Sequence, residues 1–362
     1  MKKIIIMMLI AVTIFSATFF ISCESTNENA NINSNIDMSE RLISVEEVLT
    51  TERLAEIISP AVVGISSATS VGESVGSGVC VGKGGYIITN AHVIANPQSI
   101  KLYLFNGDVV DAEQIFSDES LDISILKTSA SIPYLALGDL NDVEVGEDVL
   151  AVGTPVSLLL KHSFTKGIVS ALDRTLRVSG DNGDYYMQNL IQHDASLNPG
   201  NSGGPLVNSK GEVIGINTLK ISSTEGIGFA IPSLSFESLL QNYILDEEYE
   251  TPFIGFFGYD AEIANYYQYT TEKEGVFVVD VSSDSPIANI GIESGDVIVK
   301  LNDMKISNIL DLRNELFKHK IGDTIELQYI KNGRTYVGSV VLGTHPVNNI
   351  KKDIELVNNE LN

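Results

Sequence analysis

The chain has 362 residues, of which 44% are hydrophobic and 19% charged; this composition is typical of globular proteins and excludes wholesale disorder. The chain is longer than a typical domain with a single hydrophobic core, which favours two domains with flanking segments. The formal net charge of −24 argues against a nucleic-acid partner, because phosphate binding relies on clustered Lys and Arg.

The first segment, residues 1–23, is predicted to be an export signal. Two lysines precede an apolar run over residues 4–21 that contains no charged side chain. The run is close to the length of a membrane span, so a retained anchor helix is the competing interpretation. The end of the run resembles a bacterial lipoprotein signal in which Cys23 becomes lipidated, although Phe20 stands where that signal prefers leucine. Residues 24–40 are rich in Asn and Ser, and we expect a flexible tether.

Residues 41–247 have the pattern of a β domain. A capping-box pattern, Ser44 with Glu47, predicts a short helix that ends at Ser59 and Pro60. Short apolar runs then alternate with Gly, Asn, Asp and Pro, which indicates an all-β sandwich or barrel. These runs lie at residues 61–65, 78–81, 86–89, 100–104, 123–126, 148–152, 167–171, 190–192, 213–216 and 227–231.

The end of this domain and the start of a second are marked by a charged, proline-ended connector over residues 246–252. Before the connector, a helix is predicted over residues 233–245, with Ser233 as its N-cap. The second domain, residues 252–345, shows a mixed α and β pattern, and residues 346–362 form a polar tail. Its predicted elements are strands at 253–257, 276–281 and 296–301, a short helix from Ser285, an amphipathic helix at 308–319, and a hairpin of 324–330 with 335–342 around Asn332-Gly333.

The stretch at residues 198–206 contains three glycines around Ser202. Glycine at this density predicts a tight loop that exposes Ser202 and turns its backbone N–H groups toward one point. A serine hydroxyl becomes a useful nucleophile only when a base removes its proton and donors stabilise the resulting oxyanion.

The candidate base is His92, because it follows a predicted strand that ends in a turn, and such strand ends hold catalytic side chains on a rigid scaffold. The candidate acid is Asp122, which opens a core strand and can be held immobile beside an imidazole. Asp118 and Asp111 are rivals in more polar surroundings that favour turn roles. The other four histidines are His162, His193, His319 and His345, and none occupies a diagnostic position.

Three motifs, at residues 89–93, 121–126 and 200–205, together resemble the catalytic motifs of the HtrA/Deg family of serine proteases. The resemblance extends in register over about residues 45–345. Its further matches lie at residues 76–79, 151–155, 167–170, 211–217 and 226–232.

The resemblance implies a mostly β fold, with a trypsin-like pair of six-stranded β-barrels and the active site in the cleft between them. It implies that His92 takes the proton of Ser202, that Ser202 attacks a peptide carbonyl, and that Asp122 holds the histidine tautomer. The N–H groups of Gly200 and Ser202 would bind the oxyanion, and Asn201 would shape the turn. We expect no metal and no cofactor.

The resemblance also places the substrate pocket around residues 216–229. The predicted pocket residues carry no charge, which favours cleavage after small aliphatic residues such as Val, Ala or Ile and disfavours basic ones. They are Ile216, Asn217, Leu219, Ile227 and Phe229.

The second domain resembles an α+β PDZ domain. Phe253, Ile254, Gly255 and Phe256 stand where the family has its carboxylate-binding loop, and residues 285–296 resemble another marked PDZ segment. A PDZ groove binds an extended C-terminal peptide as an additional edge strand. The alternative is a small spacer domain without a ligand.

Two departures from the family pattern matter. His193 replaces a residue that is usually threonine, so the local hydrogen bonding should differ, and we assign His193 no catalytic role. The segment at residues 67–75 is short, which argues against control by a long regulatory loop and against large cage assemblies.

The leading hypothesis is therefore an ATP-independent quality-control endopeptidase of the cell envelope, anchored to the membrane by lipidated Cys23 or by its N-terminal helix. The expected partners are unfolded polypeptides and hydrophobic C-terminal peptides, and the family implies a homotrimer. The alternative hypothesis is a non-proteolytic chaperone or a PDZ adaptor that only binds peptides.

Overall fold

The computed structural model describes residues 42–43, 49–70, 72–154, 162–180, 183–220, 226–247 and 249–344. The predicted signal with Cys23, the tether, the capping box at Ser44 and Glu47, and the tail that follows His345 lie outside these residues. In the part of the chain that is described, no helix is long and apolar enough to cross a membrane.

The fold is mostly β, with two closed barrels followed by an α+β domain, which confirms the predicted fold class. A short strand β1 (Leu42–Ile43) pairs in parallel with β8 (Tyr134–Leu135). Helix α1 (Thr51–Ile58) begins after Thr50, whose hydroxyl accepts a hydrogen bond from the Arg53 N–H. The helix ends at Ser59, as predicted, and leads into a 3₁₀ turn containing Pro60.

Six antiparallel strands close the first barrel in the order β2-β3-β4-β7-β6-β5. Its interior contains fully buried aliphatic side chains, including Ile65, Ile87, Leu102 and Leu126. The strands are β2 (Val62–Ala68), β3 (Glu73–Gly82), β4 (Tyr86–Thr89), β5 (Ser99–Tyr103), β6 (Val109–Asp118) and β7 (Ile123–Lys127).

The second barrel also has six strands, in the order β10-β11-β14-β13-β12-β9. They are β9 (Asp148–Gly153), β10 (Ser163–Gly180), β11 (Gly183–His193), β12 (Pro205–Asn208), β13 (Val213–Lys220) and β14 (Gly228–Pro232).

The helix after the second barrel starts later than the sequence predicted. A 3₁₀ turn occupies Ser233–Ser235, and α2 spans Glu237–Leu245 with Phe236 at its N-cap position. Ser233 is not the N-cap, because its hydroxyl instead donates to the Gly138 carbonyl at 3.0 Å. The serine therefore ties this turn to the second barrel.

One continuous core joins the two barrels. Val79 and Ile88 of the first barrel share a buried cluster with Val152 and Ile216 of the second, and all four are fully buried. Burying such a side chain stabilises the fold by about 1.5–3 kcal/mol. This shared core fixes the relative positions of the strand ends that face each other across the cleft.

The α+β domain contains one antiparallel sheet in the order β15-β16-β17-β19-β20, with the short β18 paired to β17. Its strands are β15 (Phe256–Asp260), β16 (Val276–Val281), β17 (Val297–Leu301), β18 (Met304–Lys305), β19 (Thr324–Lys331) and β20 (Arg334–Val341). Its helices are α3 (Ala261–Tyr266) and α4 (Ile309–Leu316).

The conformations of turn residues explain one correct and one wrong sequence prediction in this domain. The predicted hairpin is confirmed, because Asn332 and Gly333 both adopt the positive φ values, 50° and 70°, that such a two-residue turn requires. The strand predicted from Phe253 is wrong at its start, because β15 begins only at Phe256. Gly255 immediately before it has a φ of 89°, which is incompatible with an extended strand.

Asp260 connects the α+β domain to the second barrel. Its carboxylate accepts a hydrogen bond from the Ile309 N–H at the start of α4, at 2.6 Å, and another from the Asn189 side chain of β11, at 3.2 Å. Burial raises the pKa of Asp260 to about 6. At neutral pH this junction therefore contains a carboxylate whose charged form is disfavoured by burial.

We expect Asp260→Asn to become more stable relative to the unsubstituted protein as the pH rises. Because the folded pKa is raised, protonated Asp260 contributes stability below about pH 4 that is lost as the pH rises through about 6. A shift of about two pH units corresponds to about 3 kcal/mol. The measurement is the free energy of unfolding of both proteins from pH 4 to 7.5, with the exposed Asp303→Asn as the control for charge removal. A constant difference between Asp260→Asn and the unsubstituted protein would contradict the expectation.

Candidate active site

His92 lies where the first barrel meets the cleft, in a 3₁₀ turn (Ala91–Val93) directly after β4. The preceding Asn90 is fully buried, and its side-chain amide donates to the Asp122 carbonyl at 3.0 Å. The turn is thereby fastened to the segment that carries Asp122.

Asp122 and His92 form a direct pair, as the sequence analysis expects. The Nδ1 atom of His92 lies 2.9 Å from both carboxylate oxygens of Asp122, and the His92 backbone N–H donates to Oδ1 at 3.0 Å. Asp122 is buried and adopts a φ of 53° immediately before β7. The pair leaves the other ring nitrogen of His92, Nε2, available on a half-exposed side chain.

The charge of Asp122 sets the proton affinity of His92. Burial disfavours the protonated ring, but the hydrogen bond and the negative charge of Asp122 together outweigh burial, and the pKa of His92 is raised above its ordinary value. A base tuned in this direction binds a proton more readily and is stabilised as an imidazolium.

Thr218 is a component of the site that the sequence analysis missed. Its hydroxyl donates to Oδ2 of Asp122 at 2.6 Å, and its side chain is buried in β13 of the second barrel. Its carbonyl accepts the hydroxyl of Ser202 at 3.3 Å. Thr218 lies in a continuous buried run, so no period or spacing in the sequence distinguishes it from a core residue.

Ser202 lies in the loop between β11 and β12 and is half-buried. The described contacts include no hydrogen bond between Ser202 Oγ and His92, since the hydroxyl is directed to the Thr218 carbonyl. In substrate-free enzymes such bonds are often long and tighten only when substrate binds. Transfer of the proton to His92 requires the hydroxyl to turn away from Thr218.

The glycines around Ser202 are required by close packing. Gly203 has a φ of 82°, and a Cβ atom there would lie 2.2 Å from the Ser77 carbonyl oxygen. A Cβ atom on Gly204 would lie 2.0 Å from the Val152 carbonyl oxygen. Only glycine allows the loop to lie this close to strands of both barrels.

The proposed oxyanion donors are the N–H groups of Gly200 and Ser202. Within the described residues, no backbone carbonyl accepts a hydrogen bond from the N–H of Gly200 or Ser202. The Asn201 N–H donates to the Asn198 carbonyl at 3.0 Å, and the Asn201 carbonyl accepts from Gly204 at 3.0 Å. Asn201 therefore shapes the turn through its backbone.

A cleft of about 360 Å³ lies beside the segment that precedes Ser202. Among the described residues, its lining contains no charged side chain. The lining residues are Ala195, Ser196, Leu197, Asn198, Gly226, Ile227 and Gly228.

Of the predicted pocket residues whose side chains the structure describes, Ile227 alone lines this cleft. Ile216 and Phe229 instead belong to the core shared by the barrels, and Asn217 donates to the carbonyls of the serine loop. The side chain of Leu219 lies outside the described part of the structure. Residues on both faces of β13 are buried, so apolar character does not reveal which of them face the cleft.

The remaining histidines have other surroundings. His162 contacts the Val62 carbonyl at 2.9 Å, His319 lies near Asp323, and His345 is outside the described residues. His193 is fully buried behind Gly228, and burial lowers its pKa to about 4. A ring with so low a pKa is neutral at pH 7 and binds a proton only weakly.

The rival carboxylates have structural roles. Asp118 accepts hydrogen bonds from the N–H groups of Ser120 and Leu121, which is typical of a turn. Asp111 forms an exposed ion pair with Lys101. Neither contact involves His92.

The predicted carboxylate-binding loop lies at the edge of the second domain. Phe253 pairs with Gly343, and the Ile254 and Gly255 carbonyls accept hydrogen bonds from Ile287 and Ser282. A Cβ atom on Gly255 would lie 2.0 Å from the Ser285 Cβ atom. The following β15, which begins at Phe256, is an edge strand of the sheet.

Comparisons with known proteins agree with this architecture. A trypsin-like peptidase domain matches residues 76–216, and a PDZ domain matches residues 266–341. The chain is 37% identical to "Serine protease Do-like HtrA" of Bacillus subtilis over 80% of this chain and 72% of the relative. It is 34% identical to "Serine endoprotease DegS" of Haemophilus influenzae over 87% of this chain and 92% of the relative.

Solved structures show the same likeness. A serine endoprotease from Yersinia pestis is similar with a TM-score of 0.58 and 32% identity, over 83% of this chain and 100% of that chain. The HtrA-type protease AlgW with a tripeptide is similar with a TM-score of 0.63 and 29% identity, over 82% of this chain and 98% of that chain.

We expect Thr218→Val to reduce peptide hydrolysis about tenfold or more while the protein still folds. The substitution removes a hydrogen bond to a buried carboxylate, which is worth about 1.5–3 kcal/mol. The measurement is kcat/KM on a peptide substrate. Thr128→Val is the matched control, because Thr128 is also buried and donates to a backbone carbonyl, that of Asp111, at 2.8 Å. Equal losses of activity in the two variants would contradict a specific role for Thr218.

Proposed function

The chain belongs to the HtrA/Deg family of serine proteases. We propose that it is an ATP-independent endopeptidase of the cell envelope that degrades misfolded or unfolded proteins. The observation that carries the proposal is the contact of Thr218 with both Asp122 and Ser202, next to the pair of Asp122 and His92. This arrangement supports the proposed roles of Ser202 as the nucleophile, His92 as the base and Asp122 as the orienting acid.

In the proposed mechanism, substrate binding turns the Ser202 hydroxyl toward His92. His92 accepts the proton through Nε2 as Ser202 Oγ attacks the peptide carbonyl, and Asp122 holds the Nδ1–H tautomer. The imidazolium then gives the proton to the leaving amine, and an acyl-enzyme remains. Water, activated by His92 in the same way, hydrolyses the acyl-enzyme and restores Ser202.

The oxyanion that forms at each step needs donors that are already in place. We assign this role to the N–H groups of Gly200 and Ser202, which are unpaired with any backbone carbonyl of the described chain. Asn201 holds the turn between them through its backbone bonds.

Substrate selectivity follows from the cleft beside the serine loop. Its lining contributes Ile227 and Leu197 as apolar walls and Ser196 as an uncharged polar group. We propose cleavage after small aliphatic residues, because a basic side chain would find no acidic partner among these lining residues.

The PDZ domain gives the protease a second contact with its substrates. We propose that extended C-terminal peptides add to the edge strand β15, while the loop from Phe253 to Phe256 binds the terminal carboxylate. Hydrophobic C-termini that are exposed by misfolding would then hold the substrate near the cleft.

The proposed location is the cell envelope. Relatives of this chain include a "Periplasmic pH-dependent serine endoprotease DegQ" of Escherichia coli, with 36% identity over 75% of this chain. Together with the apolar N-terminal run, this supports export and a membrane anchor, with lipidation of Cys23 as the proposed form. A homotrimer is proposed from family membership.

We expect the full chain, purified in detergent, to degrade casein without ATP, and we expect Ser202→Ala to abolish this activity because it removes the nucleophile. Casein degradation is followed by gel electrophoresis, and labelling by a fluorophosphonate reports the reactivity of Ser202 independently of any protein substrate. Equal inertness of both proteins toward casein, with hydrophobic C-terminal peptides added, would contradict the proposed function and favour a non-proteolytic chaperone or adaptor.

We expect Gly255→Ala to weaken binding of a peptide with a hydrophobic C-terminus at least tenfold, because the added methyl group displaces Ser285 and distorts the loop. Binding is measured by fluorescence anisotropy of a labelled peptide. Gly333→Ala is the matched control, since Gly333 also has a positive φ but an added Cβ atom there meets nothing within 4 Å. If Gly255→Ala and Gly333→Ala bound the peptide equally well, the loop would not be the carboxylate site.

A further inference from the structure

Ser77 of β3 is a fully buried residue, and two of its described hydrogen bonds hold the serine loop. Its hydroxyl donates to the Gly200 carbonyl at 2.6 Å and accepts from the Thr154 N–H at 2.7 Å. Its backbone N–H donates to the Ser202 carbonyl at 2.9 Å. Ser77 thus links a strand of the first barrel to the serine loop and to the end of β9 in the second.

The same residue is connected to the strand that carries the base. The Ser77 carbonyl accepts the Thr89 hydroxyl at 2.7 Å, and Thr89 ends β4 three residues before His92. One buried serine therefore lies between the chain segment of the proposed base and the loop of the proposed nucleophile.

Ser77 donates hydrogen bonds to the carbonyls of Gly200 and Ser202, the residues on either side of Asn201. Because a peptide unit is planar, fixing the Gly200 carbonyl also fixes the opposite N–H, that of Asn201, which donates to the Asn198 carbonyl. Gly200 has a φ of 102° and no side chain to restrict it, so this external hydrogen bond limits its rotation.

We propose that Ser77 is a positioning residue for the oxyanion hole: its hydroxyl fixes the peptide between Gly200 and Asn201 and so keeps the N–H groups of Gly200 and Ser202 directed at the substrate carbonyl. This inference rests on the proposed peptidase function of Ser202. Ser77 itself touches no reacting atom and acts through the loop.

Other hydrogen bonds hold other parts of the loop, but among the described contacts the Ser77 hydroxyl is the only donor to the Gly200 carbonyl. A Cβ atom on Gly153 would lie 2.6 Å from the Asn201 Cα atom and 3.0 Å from the Ser77 hydroxyl oxygen. Loss of the hydroxyl leaves the Gly200 carbonyl and the Thr154 N–H without this partner in a closely packed region. The loop can then adopt other peptide orientations, in which the donors no longer converge.

The test compares Ser77→Ala with Ser233→Ala in the full-length protein. Ser233 is the matched control, because its buried hydroxyl also donates to a backbone carbonyl, that of Gly138, which is not part of the serine loop. The measurements are kcat and KM on a fluorogenic peptide, the rate of labelling by a fluorophosphonate, and the melting temperature. Ser202→Ala defines the background.

We expect Ser77→Ala to lower kcat and the labelling rate at least tenfold with KM changed less than twofold, whereas Ser233→Ala keeps kcat within twofold of the unsubstituted protein. If Ser77→Ala does not fold, Ser77→Cys, which keeps a weaker donor at the same place, is expected to lower kcat at least threefold at unchanged KM.

Wild-type labelling and kcat in the folded Ser77 variant would overturn the inference, as would parallel losses in the Ser77 and Ser233 variants. Failure of the proposed function has a different signature, because the unsubstituted protein itself would then neither hydrolyse the peptide nor react with the fluorophosphonate.

Discussion

The buried carboxylate of Asp122 is the constraint around which the site is organised. A charge removed from water is tolerated only when hydrogen bonds replace its hydration. Asp122 receives them from the backbone and ring of His92 and from the hydroxyl of Thr218. His92 belongs to the first barrel and Thr218 to the second, so satisfying this single charge requires both barrels to be in place.

The serine loop depends on the same requirement. Thr218 can reach Asp122 only while β13 lies against the first barrel, and its carbonyl then meets Ser202. Asn217, the preceding residue, donates to the carbonyls of Gly204 and Pro205 and fixes the other end of the loop. The placement of Ser202, the proposed nucleophile, therefore depends on the packing of β13, because adjacent residues of this strand contact both Asp122 and the serine loop.

The sequence predicts features that short segments determine and misses those that depend on contacts between distant segments. Asn332-Gly333 forms its hairpin because the turn residues alone favour it. The pairing of His92 with Asp122 also follows from strand ends. Thr218 is 96 residues from Asp122, and Ser77 is 123 residues from Gly200, so only the barrel packing brings these partners together. The sequence also cannot separate cleft residues from core residues in β13, because the described part of this strand is buried on both faces and lacks alternation.

The departure at His193 shows how the fold accommodates a buried ring to which we assign no catalytic role. An imidazole at this buried position needs space, and the strand opposite provides it: a Cβ atom on Gly228 would lie 2.7 Å from the His193 ring. Burial also keeps the ring neutral, with a pKa of about 4. The cleft lined by Gly228 therefore gains no positive charge from His193 at neutral pH.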